Sequence, residues 1–364
     1  MLIAALMAFC MMFTACSSSQ ETTAAPETTE AAKETTAAPA TEAPATEAPA
    51  TEAPVTETPA AEVSSTEAPV TETPAAETPS ETASDNGETI TITDMTGHEV
   101  TIHTPVERVV ALSAADCEIL YAIGAGDLLV GRGEYCDYPA EVLDLPSVQS
   151  GYETNTEQII ALEPQVLFMS AMAQTQEQVA SLEAAGVAVV VSDAYTISDV
   201  LKSIETIGLV TGHGKEAAKV SDNMKNSLTE LSSLANGDRT KTVYFEVSPL
   251  EYGLWTAGKG TFMDEVADLL GLKNAFDDVS GWGEISEEQV LERNPDYIVT
   301  ITMYYGEGPT PEEEIASRPG WDAVKAVQNG KILRLENDEL SRPAPRLVDG
   351  ARLLYEFAFK NDGQ

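Results

Sequence analysis

Twice along this chain, short apolar runs alternate with stretches of helical periodicity, and this restricts the fold more than any other feature. The first series runs VERVVALS (106–113), a helix through Cys117–Ile123 closed by Gly124, LLVGRG (128–133), EQIIALEP (157–164), VLFMS (166–170), TQEQVASLEAAG (175–186) and VAVVVSD (187–193). Short buried strands separated by helices predict a parallel sheet, a Rossmann-like lobe. The second series begins with KTVYFEV (241–247). It continues through DEVADLLG (264–271), EEQVLERNP (287–295), DYIVTIT (296–302), KILRLEN (331–337) and a terminal helix around LVDGARLLYEFAF. Between the two series, residues 197–235 read as two helices. The second places Ala217, Val220, Met224, Leu228, Leu231 and Leu234 at three- and four-residue spacing and ends at Asn236-Gly237. Ahead of everything, ETITITDMTGHEVTIH (88–103) alternates around Thr96-Gly97 as a hairpin. The expected fold is α/β: two Rossmann-like lobes, 88–196 and 238–364, bridged by a single long α-helix within 197–237.

The residues before 88 obey different physics. Residues 17–84 hold 13 Glu, one Lys (Lys33) and nine Pro, with no Phe, Trp, Tyr, Leu or Ile. Such a segment has no apolar area to offset the entropy of ordering, so a disordered stalk is expected. From Thr41 it repeats TEAPA, which favours an extended, self-repelling chain. At roughly 3 Å per residue, about 68 residues reach on the order of 200 Å at full stretch. Residues 1–15, MLIAALMAFCMMFTA, have the length and apolarity of a signal-peptide hydrophobic region. Ala15 followed by Cys16 resembles a bacterial lipobox, so Cys16 is the expected lipidation site and 16–87 a lipid-anchored linker. The whole chain carries a formal charge of -40, and the head remains strongly acidic without the stalk. That field repels phosphate backbones and excludes nucleic acid as a partner.

Catalytic motifs are missing. Ser-His-Asp sets, Walker loops, HExxH and CxxC do not occur, and AIGAGDLLVG (122–131) lacks the third glycine and the strand-then-helix order of a dinucleotide loop. His98 and His103 fall in the hairpin and His213 opens the long helix, so no imidazole cluster for a metal is expected. Cys117 and Cys136 remain in the head, as a disulfide or as two thiols. The expected protein is not an enzyme and needs no cofactor. What stands out is a set of aromatics at predicted strand-to-helix junctions: Tyr135, Tyr138, Tyr152, Tyr195, Trp255, Trp282 and Tyr304-Tyr305. Open α/β sheets bind ligands at such junctions, and aromatics there suit a large flat molecule. Trp321 reads as structural.

The motifs DMTGHEVTI, RVVALSAADCEILYAIGAGDLLVG, EYCDYP, NTEQIIALEPQVLF, GWGEISEEQVLERNPDYIV, RPGWDAVKAVQNGKILRL and SRPAPRLVDG, in this order, resemble the solute-binding proteins of ABC importers for ferric siderophores, haem and vitamin B12. The resemblance spans residues 88–360. It implies two lobes on one long helix, little hinge motion, a ligand between the lobes, and docking on permease subunits through Glu157 and Glu288. The cobalamin-binding members look most similar, since EYCDYP resembles their DYxDYP loop and GWGEIS their Trp-Pro-Gln-Val-Ser segment. By that resemblance Tyr135 and Trp282 flank a corrin, Tyr138, Tyr152 and Trp255 add contacts, and the protein is a monomer tethered to the membrane. SGYETN departs from the cobalamin pattern, which tends to have Trp near Tyr152. Siderophore binding asks for cleft arginines, of which Arg132 and Arg342 are well placed. Haem asks for an axial Tyr, for which Tyr135 or Tyr304 would serve. A stalked surface sensor that binds another macromolecule is the competing class.

Overall fold

The computed structural model describes residues 88–151, 154–170, 175–235, 237–304, 306–335 and 339–360. The expected signal segment, Cys16 and the TEAPA stalk lie outside them, as do Tyr152, Asn236 and Tyr305.

Strands β1 (Glu88–Thr93) and β2 (Glu99–Thr104) form the antiparallel hairpin. The Asp94 carboxylate closes its turn by accepting from Thr96 N, Thr96 Oγ1 and His98 N, and its other oxygen accepts from Val191 N. The first lobe follows: β3 (Val109–Ala111), α1 (Ala114–Ala122), β4 (Leu129–Gly133), β5 (Ser147–Val148), α2 (Thr156–Ala161), β6 (Val166–Met169), α3 (Gln176–Ala184) and β7 (Ala188–Val191). Its five strands are all parallel, in the order β5-β4-β3-β6-β7. Gly124, at φ 80°, closes the end of α1 where other residues would be strained.

Two helices lead out of this lobe, α4 (Ile197–Val210) and the 22-residue α5 (Gly214–Ala235), about 33 Å long at 1.5 Å per residue. They pack closely because residue 208 is glycine. A Cβ there would meet the Ala217 Cβ at 2.3 Å. Ala217, Met224, Leu228 and Leu231 are buried as their spacing predicts, and Val220 is half-buried. Leu234 departs from expectation: it is 52% exposed, and Ala235 takes the inward position in the last turn.

The second lobe contains β8 (Thr242–Ser248), β9 (Leu254–Ala257), α6 (Phe262–Leu269), β10 (Lys273–Asn274), β11 (Trp282–Ile285), α7 (Glu287–Arg293), β12 (Tyr297–Thr300), α8 (Pro311–Ser317), α9 (Lys325–Gln328), β13 (Ile332–Arg334) and α10 (Leu347–Tyr355), extended by a wider turn to Lys360. Its sheet is mixed. Strands β10, β8, β12 and β13 are parallel, whereas β9 runs antiparallel to both β8 and β11. This corrects the expectation of simple strand-helix alternation, because LWTA and WGEI are strands that carry the two tryptophans themselves. Trp282 pairs with Ala257, and Trp255 pairs with Glu284. Paired residues share a face of an antiparallel sheet, so the two indoles lie diagonally on the same face.

One contiguous apolar core includes Ile119 and Phe168 of the first lobe, Ile204 of α4, Met224 and Leu231 of α5, and Phe245, Val266 and Leu347 of the second. The bridging helix is therefore packed into both lobes. A polar contact reinforces the junction. Glu118 of α1, only 2% exposed at its side chain, accepts from Arg342 Nη1 at 3.0 Å and from Arg346 Nε and Nη2 at 2.9 and 2.7 Å. Both arginines precede α10, so this cluster crosses from lobe to lobe. Arg342 also reaches Asp137 Oδ1 at 2.7 Å. Removing one partner of a buried ion cluster leaves charge uncompensated, which costs roughly 3–5 kcal/mol. Glu118→Ala should destabilise the protein by about that much in urea unfolding, while Asp137→Asn, at a half-exposed position, should cost less than ~1 kcal/mol.

Candidate functional site

The C-terminal ends of β3, β6 and β7 converge on a cavity of about 280 Å³ between the lobes. The first lobe contributes Ser113, Ala114, Ala115, Ser170, Ser192 and Asp193, with Tyr195 at the rim. The second contributes Phe262, Trp282 and the turn Ser341–Pro343. Phe262 and Trp282 meet edge to face, ring centroids 5.6 Å apart, so the buried Phe262 ring holds the indole in the second lobe's side of the cavity. On the first lobe this is where an open α/β sheet binds ligand.

The sequence-predicted residues divide around this cavity. Trp282, Arg342 and Tyr195 line it. Tyr135, 69% exposed, lies in the turn after β4, its ring 3.7 Å from where a Cβ on Gly151 would stand. That turn is tied to the 150 segment by Glu134 N donating to Ser150 Oγ and Ser150 N donating to Glu134 Oε1. Tyr138 lies beneath the Arg346 guanidinium, 3.6 Å from ring centroid. Trp255 is 39% exposed on β9. Tyr304 lines a different cavity, of about 670 Å³, at the ends of β8 and β12 with Pro249, Leu250, Met303 and Glu314. Its hydroxyl donates to Gly308 O, and Arg334 stands 5.5 Å over its ring.

The two arginines proposed for anion capture have other work. Arg132 Nη1 donates to the carbonyls of Gly133, Glu134 and Cys136, bracing the tyrosine-bearing turn. Arg342 lines the cavity but is paired with Glu118 and Asp137. Cys117 and Cys136 are both buried thiols whose Sγ atoms face the Ala111 carbonyl, each at 3.8 Å. His98 and His103 are exposed, and the His213 ring lies 2.8 Å from Thr211 O. Among the described residues no group of three His, Cys, Asp or Glu is placed to hold a metal.

Glu157 and Glu288 are both exposed in the first turn of a helix, one per lobe. Their surroundings repeat. Asn155 and Ser286 are the N-caps, and Gln158 and Gln289 follow the glutamates. Glu163 and Asn294 end the units in left-handed conformation at φ 48° and 47°, each before a proline and a central strand. In α7 the neighbouring Glu287 accepts from Trp321 Nε1 at 2.8 Å, so Glu288 is the one presented to solvent. The Ser286 hydroxyl lowers its pKa and keeps it charged.

The residue that sequence reading missed is Asp116. In the first turn of α1 it looks like an ordinary helix-terminal acid, but it is buried behind the cavity wall. Its Oδ1 accepts from Ser192 Oγ at 2.6 Å, and its buried Oδ2 has no partner among the described residues. Burial pushes its pKa up to about 7. The Ser192 and Ser113 hydroxyls pull down against this, and Asp193 pushes up.

These features define a two-lobed solute-binding protein with a cavity between its lobes and, on each lobe, a glutamate exposed at the same place in a repeated helix start. The chain belongs to the periplasmic binding protein family, whose sequence pattern matches residues 109–339. It is 34% identical over 273 residues to an uncharacterised ABC transporter substrate-binding lipoprotein of Bacillus subtilis, covering 73% of this chain and 84% of that one. It is 29% identical over 250 residues to a vitamin B12-binding protein of Vibrio cholerae, covering 67% and 86%. Among solved structures, a possible iron-binding, periplasmic solute-binding protein of Staphylococcus epidermidis matches at 30% identity and a TM-score of 0.60, over 70% of this chain and 99% of that one. The protein is thus an ABC-transporter substrate-binding protein of the vitamin B12, haem and siderophore group.

Asp116 gives a pH signature. A carboxyl near 7 when folded and near 4 when unfolded binds its proton more tightly in the native state. Its neutral form therefore supports the fold fully below pH 4, and that support is lost as pH rises towards 7. Asp116→Asn should remove this component, so the urea midpoint of the variant should fall less than that of the parent between pH 4.5 and 7.5.

Proposed function

We propose that the protein is a lipid-anchored extracytoplasmic receptor that captures cobalamin or a related corrinoid and delivers it to an ABC permease. The observation that carries the corrinoid reading is the charge state of the cleft. Its arginine is already paired with Glu118 and Asp137, while its other wall is aromatic. A carboxylate-rich siderophore or a haem dipropionate would have to break those ion pairs, whereas a neutral, amide-bearing macrocycle would not. Trp282 from one lobe and Tyr135 and Tyr195 from the other, with Trp255 on the Trp282 face, offer the broad flat surface such a ring needs. The relative named for vitamin B12 supports the same ligand class. Anchoring rests on Cys16 and on the lipoprotein relative, and the TEAPA segment would act as the spacer.

Cyanocobalamin added to the purified protein should quench tryptophan emission saturably, and Trp282→Ala should weaken binding about tenfold or more, as a buried aromatic anchor does. No quenching up to millimolar ligand would reject the corrinoid. The iron-related alternative is read from colour: a Soret band or a ferric charge-transfer band in protein purified from iron-replete medium would identify haem or a siderophore instead.

The docking reading places Glu157 and Glu288 on permease cations, one per lobe. Reversing both, Glu157→Arg with Glu288→Arg, should abolish uptake while ligand affinity changes less than twofold. Uptake surviving the double reversal would remove these residues from the docking surface.

A further inference from the structure

We propose that Asp116 is a positioning residue that makes the first-lobe wall of the cavity a hydrogen-bond acceptor surface, selecting ligands that present carboxamides over those that present carboxylates. The inference rests on the reading of this cavity as the ligand site. Its ground is the arrangement around the start of α1. Ser113, Ala114 and Ala115 line the cavity, so the positive end of a nine-residue helix faces the ligand. Left alone, that end favours an anion. Asp116 puts a buried carboxyl in the same turn and opposes it.

The effect reaches the ligand through Ser192. A hydroxyl has one proton, and the Ser192 proton is directed to Asp116 Oδ1 at 2.6 Å, with the Met169 carbonyl a more distant alternative at 3.4 Å. The Ser192 lone pairs then turn to the cavity, which Ser192 lines. A ligand carboxylate meets acceptors there, and a ligand amide finds them as partners.

The charged and titratable groups around Asp116 are few. Asp193 follows β7, the Cys117 and Cys136 thiols lie behind, Arg132 comes from β4, and Arg342 enters the cavity from the second lobe. Helix α4 brings Ser203, whose hydroxyl donates to the Ser192 carbonyl. The Cys136 contact and burial push the Cys117 thiol well above its usual value, so it stays neutral when Asp116 titrates.

The test compares cyanocobalamin with its monocarboxylic acid, in which one propionamide is hydrolysed, by fluorescence titration of the full chain at pH 8 and pH 5.5. The parent should prefer the amide at least tenfold at pH 8 and less at pH 5.5, where Asp116 is protonated. Asp116→Asn is nearly isosteric and donates to Ser192 Oγ, which turns the hydroxyl proton towards the cavity. It should erase both the preference and its pH dependence, and Ser192→Ala should reduce the preference. An Asn variant that keeps the parent preference and pH profile overturns the inference while leaving the corrinoid reading intact. If neither corrinoid binds, the corrinoid reading fails and the same comparison on haem and haem diamide decides the inference. Binding of none of the four rejects both.

Discussion

Glu118 ties the two lobes together through one buried ion cluster. It is a carboxylate of the first lobe buried against two guanidinium groups of the second, at 2.7 to 3.0 Å. Taking three charges out of water is costly, and such a cluster is tolerable only when nearly every donor and acceptor is matched. Matching fixes the turn before α10 onto α1. Through Asp137 and Tyr138 it also fixes the loop that presents Tyr135. The apolar core passing through α5 acts in the same direction. Separating the lobes would expose both the core around α5 and the ion cluster. Preformed walls lower the ordering cost of binding.

The same cluster decides what the cleft offers a ligand. An arginine in a cavity wall is usually read as an anion hook, but one already held by a buried carboxylate has spent its charge inside the protein. Arg132 is spent likewise on the carbonyls of its own loop. With both arginines so engaged, the cavity between the lobes presents mainly aromatic rings and hydroxyls, with Asp193 beside them.

Much of the architecture was legible in the sequence, because buried parallel strands are short apolar runs and α5 shows its period. The parts that were not have physical reasons. Strands β9 and β11 are four residues each and border glycines, so Trp255 and Trp282 read as junction residues, although each is a strand residue facing the same side. Leu234 continued the spacing of α5, but the final turn drifts and Ala235 faces inward. Trp282 and Arg342 line the cavity between the lobes, but the partners of Arg342 were not legible, since Glu118 and Asp137 lie more than 200 positions away in the chain. Asp116 and Glu118 both sit in α1, where acids are commonplace. Only the packing of Ser192 against one and of two arginines against the other separates them from solvated carboxylates.

The repeated unit at 155–169 and 286–300 explains why acidic residues so similar in sequence differ in use. In both lobes a capped helix start presents Glu at the second position, and a left-handed residue then drops the chain through proline into a central strand. The first lobe has Thr156 where the second has Glu287, so the second has one acid more. That extra carboxylate would compete with Glu288 for any cationic partner if it were exposed. Trp321 prevents this by donating its indole N–H to Glu287, which folds the surplus charge into the lobe. Each lobe therefore shows solvent a single glutamate at the equivalent place in the repeated unit, and it is on this equivalence, more than on the overall acidity, that the docking proposal rests.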